Sequence, residues 1–147
     1  QAHLPGGRKI MHILVIDGQG GGIGKQLVEE IRKALPKAFI TAAGTNSIAT
    51  SAMIKAGADN GATGENAVIV GCRNADIIAG PMGIVIADSL LGEITPAMAV
   101  AVGQSSALRI LLPVNRCKNL IIGIADTDIA TMIKKAAEEI KKNVQNE

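Results

Sequence analysis

The sequence has almost no aromatic side chains: one phenylalanine, Phe39, and neither tryptophan nor tyrosine in 147 residues. Base-stacking surfaces for nucleic acids and aromatic cages for cations need rings that this chain lacks. Apolar residues nevertheless make up 48% of the chain and charged residues only 19%. This composition excludes a disordered polyelectrolyte and predicts a folded core built from aliphatic side chains.

Histidine and cysteine are also scarce. Only His3 and His12 occur, so a zinc site of several histidines is excluded. Cys72 and Cys117 lie far apart without a Cys-x-x-Cys motif, which favours a reduced cytoplasmic protein with structural thiols. No apolar run is long enough to span a membrane.

The charges balance once the first ten residues are set aside. The chain has 15 Lys and Arg against 13 Asp and Glu, and residues 1–10 hold two of the basic residues and no acid. Because Met11 opens the first strand pattern, we expect residues 1–10 to be a vector-derived leader and residues 11–147 to form a single domain. A neutral domain has no basic stripe for nucleic acid or anionic lipid, so neither is expected as a partner.

Strand and helix patterns alternate along the chain. The continuous apolar run Ile10–Ile16 is typical of a central parallel strand, and apolar spacing from Ile129 to Val144 predicts the last helix. The other predicted strands cover residues 39–43, 75–79, 109–113 and 120–124; the other predicted helices cover 23–35, 46–56, 65–73, 83–91 and 95–103, with a loop at 58–64. Residues 68–70 also favour a strand, so the assignment of 65–73 rests on its position in the chain.

This alternation predicts an α/β fold, namely a Rossmann-like doubly wound, mostly parallel sheet of about five strands with helices on both faces. The connection between the strands at 109–113 and 120–124 is too short for a parallel crossover. We therefore expect one of these two strands to be an antiparallel edge strand.

A glycine-rich loop follows the first strand, where ligands bind in such folds. Glycines let the backbone approach a ligand closely, and helix N-terminal N–H groups attract phosphate. The predicted phosphate site comprises Asp17, Gly18, Gln19, Gly20, Gly21, Gly22, Ile23, Gly24 and Lys25. In it Lys25 adds a positive charge and Asp17 orients the loop, with magnesium binding by Asp17 as a weaker alternative. A tight turn that only packs the strand against the helix is the competing interpretation.

The glycine spacing matches neither G-x-G-x-x-G nor the P-loop string. It fits G-x-x-x-G-I-G at residues 18–24, which resembles the glycine loop of short-chain dehydrogenases and implies NAD or NADP as cofactor. That family's Tyr-x-x-x-Lys pair is missing here, so its hydride transfer is not carried over. Where an acidic residue should bind the ribose, the chain has Gly44, and Thr45 or Asn46 is the available hydrogen-bonding partner.

Longer strings cover most of the chain: VIDGQGGGIGK (15–25), AGTN (43–46), KAGAD (55–59), GATGENA (61–67), LGEITPAMA (91–99) and PVNRC (113–117). They resemble a family of small, uncharacterised bacterial Rossmann-like proteins, a domain of unknown function. The resemblance implies the fold and a nucleotide site but no activity.

Secondary candidates lie elsewhere. Gly80, Pro81 and Met82 end a strand and either shape a base or nicotinamide pocket or form a simple turn. Arg116 is a candidate partner for phosphate, and the neighbouring Cys117 is a nucleophile only if its pKa falls.

Two acids, Asp88 and Glu93, stand in an apolar stretch and form either an acid–base pair or ordinary caps and surface charges. Residues 83–103 carry so few charges that we expect them to be covered by a second subunit in a homodimer. No catalytic residue and no metal site is identified. The leading hypothesis is a nucleotide-binding sensor or accessory subunit; the alternatives are a nucleotide-dependent enzyme, such as an NAD(P)-dependent oxidoreductase, and a structural homo-oligomer without a ligand.

Overall fold

The computed structural model describes residues 10–114 and 118–145, which form one parallel sheet with helices on both faces. The strands are β1 (His12–Asp17), β2 (Phe39–Gly44), β3 (Asn60–Thr63), β4 (Ile77–Pro81) and β5 (Leu108–Leu112). The helices are α1 (Gly22–Ala34), α2 (Ser47–Lys55), α3 (Glu65–Asn74), α4 (Pro96–Gln104) and α5 (Ile129–Gln145), with a short 3-10 helix at Met82–Val85.

The strand order is β3-β2-β1-β4-β5, and every neighbouring pair is parallel. This is the predicted Rossmann-like doubly wound arrangement. The chain leaves β1 toward β2 and leaves β4 toward β5, in opposite directions across the sheet. The crevice for ligands in such sheets lies outside the carboxyl ends of two strands related in this way.

The side chains of β1 explain its unbroken apolar sequence. Ile13 and Val15 lie in the core that contains residues of α1, α2 and α5. Leu14 and Ile16 lie in the opposite core, with residues of α3 and α4. Because successive side chains of a strand point to opposite faces, a strand covered on both sides needs apolar residues throughout.

The predicted antiparallel edge strand is wrong. Residues 120–124 form turns and irregular chain instead of a strand, and β5 pairs with β4 in parallel. Leu120 and Ile122 are 82% and 87% exposed, and Gly123 turns the chain at a φ of +88°. The apolar run therefore resembled a strand but has no neighbouring strand to pair with.

Two further predictions need correction. The predicted loop at 58–64 contains the edge strand β3, whose four residues are all exposed and so give no apolar signal. The predicted helix at 83–91 is reduced to the 3-10 turn, because Asp88, Leu90 and Leu91 adopt positive φ angles that no α-helix accommodates.

The remaining helices are confirmed, including α3, where a strand was the alternative. Thr95 caps α4 by accepting a hydrogen bond from the N–H of Met98, and Pro96 takes the first helical position. No helix in the described part of the chain is long and apolar enough to cross a membrane.

The apolar segment 83–103 is covered mainly by its own domain. Ile84, Ile94 and Val102 are fully buried, whereas Leu91 is 96% exposed and Val100 is 52% exposed. The homodimer stays a prediction that now rests on the two exposed side chains.

Candidate functional site

Asp17, the last residue of β1, fixes the start of α1. It is 5% exposed, and its two carboxylate oxygens accept hydrogen bonds from the N–H of Gly18 at 2.8 Å and of Gly24 at 2.7 Å. The residue before α1 is Gly21, which has no side chain to cap the helix. The predicted orienting role of Asp17 therefore has a specific geometry: a carboxylate from the strand satisfies N–H groups of the first turn.

Three glycines of the loop are buried and needed for packing. A Cβ on Gly21, whose φ is +74°, would lie 2.7 Å from the Cα of Ala49. A Cβ on Gly24 would lie 2.5 Å from the sulfur of Met53. A Cβ on Gly18 would lie 2.6 Å from Oγ1 of Thr45. At these positions the competing interpretation, a tight turn between strand and helix, accounts for the glycine.

Gly20 and Gly22 differ from these three. Both are exposed, and a Cβ on either would meet nothing within 4 Å. Neither has a positive φ, so the fold does not require glycine at these two positions. None of the described residues accepts a hydrogen bond from the N–H of Gly20 or of Gly22. The donors of the loop for which no described residue is an acceptor are therefore these two exposed N–H groups.

Glu93 lies over the same loop. One carboxylate oxygen, Oε2, accepts a hydrogen bond from the N–H of Gln19 at 2.9 Å. The other oxygen, Oε1, accepts from Oγ1 of Thr45 at 2.9 Å and from Nδ2 of Asn46 at 2.6 Å. The sequence alone indicates for Glu93 only half of an acid–base pair, or an ordinary cap or surface charge. The one available signal was an acid within an apolar segment that follows β4.

Thr45 and Asn46 occupy the predicted place at the end of β2, beside the glycine loop. The N–H of Thr45 donates to the backbone oxygen of Asp17 at 3.0 Å. Asn46 caps α2, since its Oδ1 accepts from the N–H of Ala49 at 2.9 Å, and its Nδ2 also donates to the backbone oxygen of Gln19 at 2.9 Å. The two residues thus connect the ends of β1 and β2 with Glu93.

The segment that carries Glu93 is strained. Asp88, Leu90 and Leu91 have φ angles of +65°, +55° and +55°, a region that non-glycine residues rarely adopt. Leu90 is 5% exposed, and its Cδ1 would lie 3.1 Å from a Cβ on Gly18. The buried side chain of Leu90 therefore anchors the strained segment against the glycine loop. Strain of this kind is concentrated at ligand clamps and active sites.

The two carboxylates differ in their electrostatics. Burial raises the pKa of Asp17 above its ordinary value, the N–H groups of Gly24 and Gly18 oppose this, and the charge of Glu93 adds to the increase. For Glu93, partial burial alone would raise the pKa, but the hydrogen bonds from Asn46, Thr45 and the Gln19 N–H outweigh it and lower the pKa. Glu93 is therefore a stable anion at neutral pH.

Lys25 lies outside the loop proper, in the first turns of α1. Together with Ser47, Ser51 and Lys55 it lines a groove of about 630 Å³ between α1 and α2. The groove is thus lined by two lysine and two serine side chains, and Lys25 is the one of them that directly follows the glycine loop in sequence.

Gly80, Pro81 and Met82 do not form an open pocket. Gly80 and Pro81 are buried and Met82 is half-buried. A Cβ on Gly80 would lie 2.4 Å from the backbone oxygen of Ile16. The hydroxyl of Ser89 donates to the backbone oxygen of Gly83 and so covers the end of this turn. The strand-ending turn accounts for these residues, and a role in forming a base pocket stays a prediction.

The remaining candidate residues from the sequence do not join the site at the glycine loop, or lie outside the described residues. Asp88 is exposed, whereas the Glu93 carboxylate is held by Thr45 and Asn46, so nothing joins the two acids as a catalytic pair. Arg116 and Cys117 lie outside the described residues. His12 lies at the start of β1, at the opposite end of the strand from the loop. Among the residues that the structure describes, no group of three or more His, Cys, Asp or Glu side chains is placed to hold a metal ion.

A family model, the domain of unknown function DUF3842, matches residues 12–145. The chain belongs to this family. No curated protein and no solved structure matches the chain. Within the DUF3842 match lie the glycine loop, Glu93 and the ends of β1, β2 and β4, so the whole candidate site is part of the family domain.

The arrangement defines what a ligand must offer. The exposed N–H groups of Gly20 and Gly22 are available to a hydrogen-bond acceptor, and helix N-termini favour an anionic one. The neighbouring anion Glu93, which already accepts three hydrogen bonds, favours a hydrogen-bond donor over a second anion. A ligand that carries a phosphate and a hydroxyl group a few ångströms apart meets both requirements.

Proposed function

We propose that this protein binds a nucleotide or dinucleotide, whose phosphate is held by the N–H groups of Gly20 and Gly22, and that it acts as a sensor or accessory subunit. The observation that carries the proposal is the pair of exposed glycines without a structural reason to be glycine and without a protein acceptor for their N–H groups. Their position at the carboxyl end of β1, beside β4, is where nucleotides bind in doubly wound sheets.

The proposal is narrower than the prediction from the sequence. Protein acceptors already hold the N–H groups of Gly18, Gln19, Gly21 and Gly24. A phosphate therefore has two N–H groups at the exposed rim of the loop and the ammonium of Lys25 nearby, instead of a complete cradle. We infer moderate affinity, which suits a sensor of cellular nucleotide concentration better than a permanent cofactor site.

The sensor role is favoured over an enzyme by the side chains that surround the loop. Three neighbouring donors hold the Glu93 carboxylate in place, and Asp17 is buried as a helix cap. General acid–base catalysis needs a group that exchanges protons next to the substrate, and neither carboxylate is arranged for this. An NAD(P)-dependent enzyme remains the alternative, and turnover of any nucleotide that binds would establish it.

A thermal-shift screen with NAD, NADP, ATP, GTP and pyrophosphate tests the proposal. A ligand at a hundred times its Kd stabilises the folded state by about 2.7 kcal/mol, which is a measurable rise in Tm. Gly22→Asp should abolish the rise, because it places a negative charge where the phosphate binds. The fold should tolerate this variant, since an acidic residue in the first turn of a helix is favourable.

Gly22→Ala is the matched control, because it adds a methyl group into open space without a charge and should keep most of the response. If no nucleotide raises the Tm of the unmodified protein, the proposal is wrong and a structural homo-oligomer remains. If Gly22→Asp responds as the unmodified protein does, the ligand binds somewhere other than the loop.

A further inference from the structure

A carboxylate stands beside the end of β2 although the sequence has none there. Doubly wound dinucleotide sites place an Asp or Glu near this strand end, where it accepts a hydrogen bond from the ribose 2′-hydroxyl. Here the chain has Gly44, Thr45 and Asn46 at that point. The segment between β4 and α4 supplies Glu93 instead, within 2.6 Å of Nδ2 of Asn46 and 2.9 Å of Oγ1 of Thr45.

We infer that Glu93 is the acceptor for a ribose hydroxyl group, so that the site takes nucleotides with a free 2′-hydroxyl and rejects those with a 2′-phosphate. This inference rests on the proposed function and adds to it the chemical class of the ligand. The sequence alone left the choice between NAD and NADP open. Glu93 decides it in favour of NAD and of unmodified ribonucleotides.

Hydrogen-bond counting shows that Glu93 has capacity for the ligand. An ionised carboxylate offers about four acceptor positions on its two oxygens. Oε1 uses two, for Thr45 and Asn46, and Oε2 uses one, for the N–H of Gln19. One acceptor position on Oε2 is left, and the half-buried side chain is accessible to it from solvent. One hydroxyl group fits this remaining capacity.

The charge pattern favours a nucleotide over the simplest alternative ligand, a bare phosphate ion. Glu93 is bound to the N–H of Gln19, the residue directly before Gly20. A phosphate ion on the N–H groups of Gly20 and Gly22 therefore lies near a fixed negative charge, and the repulsion between the two anions weakens its binding. A nucleotide changes the balance, because its ribose hydroxyl donates to Glu93 while its phosphate accepts from the loop. A 2′-phosphate would replace that donor by a second anion and be repelled.

The backbone conformation of its segment fixes the position of Glu93, in addition to the hydrogen bonds of its side chain. The segment that carries it contains four residues with positive φ, from Asp88 to Gly92, and Leu90 anchors the segment in the core. The strain is consistent with a carboxylate that the fold holds in place before the ligand arrives.

Calorimetric titration of the unmodified protein with two matched pairs of ligands tests the inference. The pairs are NAD with NADP, and ADP with 2′-deoxy-ADP, and pyrophosphate serves as a ligand without ribose. In each pair, we expect the Kd of the member with the free 2′-hydroxyl to be lower by a factor of about ten or more, as the loss of a charge-assisted hydrogen bond implies. Glu93→Gln should reduce the ratio of the two Kd values in each pair to near one.

Glu65→Gln is the matched control, because the carboxylate of Glu65 accepts from Thr95 at 2.5 Å and belongs to a different contact. It should leave both ratios unchanged. The comparison between ligands on the unmodified protein keeps the test decisive even if Glu93→Gln loosens the loop.

Three results overturn the inference. Equal affinity for both members of each pair removes the ribose contact while leaving phosphate binding on the loop intact, as the Gly22→Asp test would show. Tighter binding of every anion by Glu93→Gln, pyrophosphate included, would show instead that Glu93 is a plug that the ligand must displace. Failure of every nucleotide to bind would overturn the proposed function itself, and this inference with it.

Discussion

The carboxylate of Asp17 lies 2.7 Å from the N–H of Gly24, so the last residue of the first strand caps the helix that follows it. Asp17→Asn keeps the volume but replaces one acceptor oxygen by an NH₂ group, which leaves a buried N–H of Gly18 or Gly24 without an acceptor. We expect a loss of about 1–3 kcal/mol in the free energy of unfolding, measured by urea denaturation. Asp88→Asn, an exposed change of the same kind, should have almost no effect.

The same carboxylate should give a characteristic pH dependence. Burial raises the pKa of Asp17 above 3.8, the ordinary value. The stability it contributes is therefore fully present below pH 3.8 and is lost as the pH rises through the pKa of the folded state. Because Asp17→Asn does not titrate, the difference in unfolding free energy between the two proteins should grow smaller as the pH rises. A difference that is constant between pH 3 and pH 7 would contradict the raised pKa.

Replacing two adjacent glycines of the loop, Gly20 and Gly21, by alanine should have very different effects on stability. Gly21→Ala forces a left-handed backbone on a residue with a Cβ and places that atom 2.7 Å from the Cα of Ala49, so we expect a loss of about 2 kcal/mol or more. Gly20→Ala meets nothing within 4 Å and should change stability by less than about 0.5 kcal/mol. Thermal and urea unfolding of the two variants provide the comparison. Equal losses would show that the loop is constrained as a whole.

Sequence patterns predicted the buried elements of the fold but missed an exposed edge strand. The unbroken apolar run of β1 and the spacing in α5 predicted their elements correctly, because burial on both faces or on one face leaves a direct mark on composition. The edge strand β3 left no such mark, since its four residues are exposed and only backbone hydrogen bonds define it.

The site was predicted in part for a similar reason. A glycine cluster after a strand is a local signal, and it predicted the position of the loop. Which glycines are open depends on Ala49, Met53 and Thr45, which contact the loop from other elements. Glu93 lies 74 residues from Gln19 in sequence, and its arrival depends on positive φ angles at two leucines that no composition rule predicts.

Asp59 should make the protein less stable in acid. Partial burial tends to raise the pKa of Asp59. Hydrogen bonds from the N–H of Ile40 and from the guanidinium of Arg32, together with the charge of Arg32, lower it by more, so the net pKa lies below the ordinary value of 3.8. The resulting stability is present above pH 3.8 and is lost as the pH falls through the lowered pKa. Asp59→Asn should therefore flatten the decline in unfolding free energy between pH 4 and pH 2. Glu139→Gln, which alters an exposed pair with Lys142, should leave that decline unchanged.

The predicted homodimer is tested through Leu91, which is 96% exposed at the centre of the apolar segment. Asparagine tolerates a positive φ, so Leu91→Asn removes the apolar side chain with little backbone cost. We expect the unmodified protein to sediment as a dimer at micromolar concentration and Leu91→Asn as a monomer of equal thermal stability. Leu120→Asn, an exposed change outside the segment, should stay dimeric. If the unmodified protein sediments as a monomer at this concentration, the predicted homodimer is wrong.

Cys72 should be chemically inert while the protein is folded. It lies on the buried face of α3, and burial raises the pKa of its thiol to about 11. At pH 8 about one thousandth of the thiol is then ionised, and the thiolate is the species that reacts with disulfide reagents. In a Cys117→Ser variant, which leaves Cys72 as the single thiol, we expect the reaction to be slow in buffer and fast in denaturant. Because the reaction needs both the opening of α3 and ionisation of the thiol, its rate in buffer should stay far below the rate in denaturant at the same pH. A prompt reaction in buffer that increases tenfold per pH unit would show that the thiol is accessible, and that α3 packs less closely on the sheet than the structure shows.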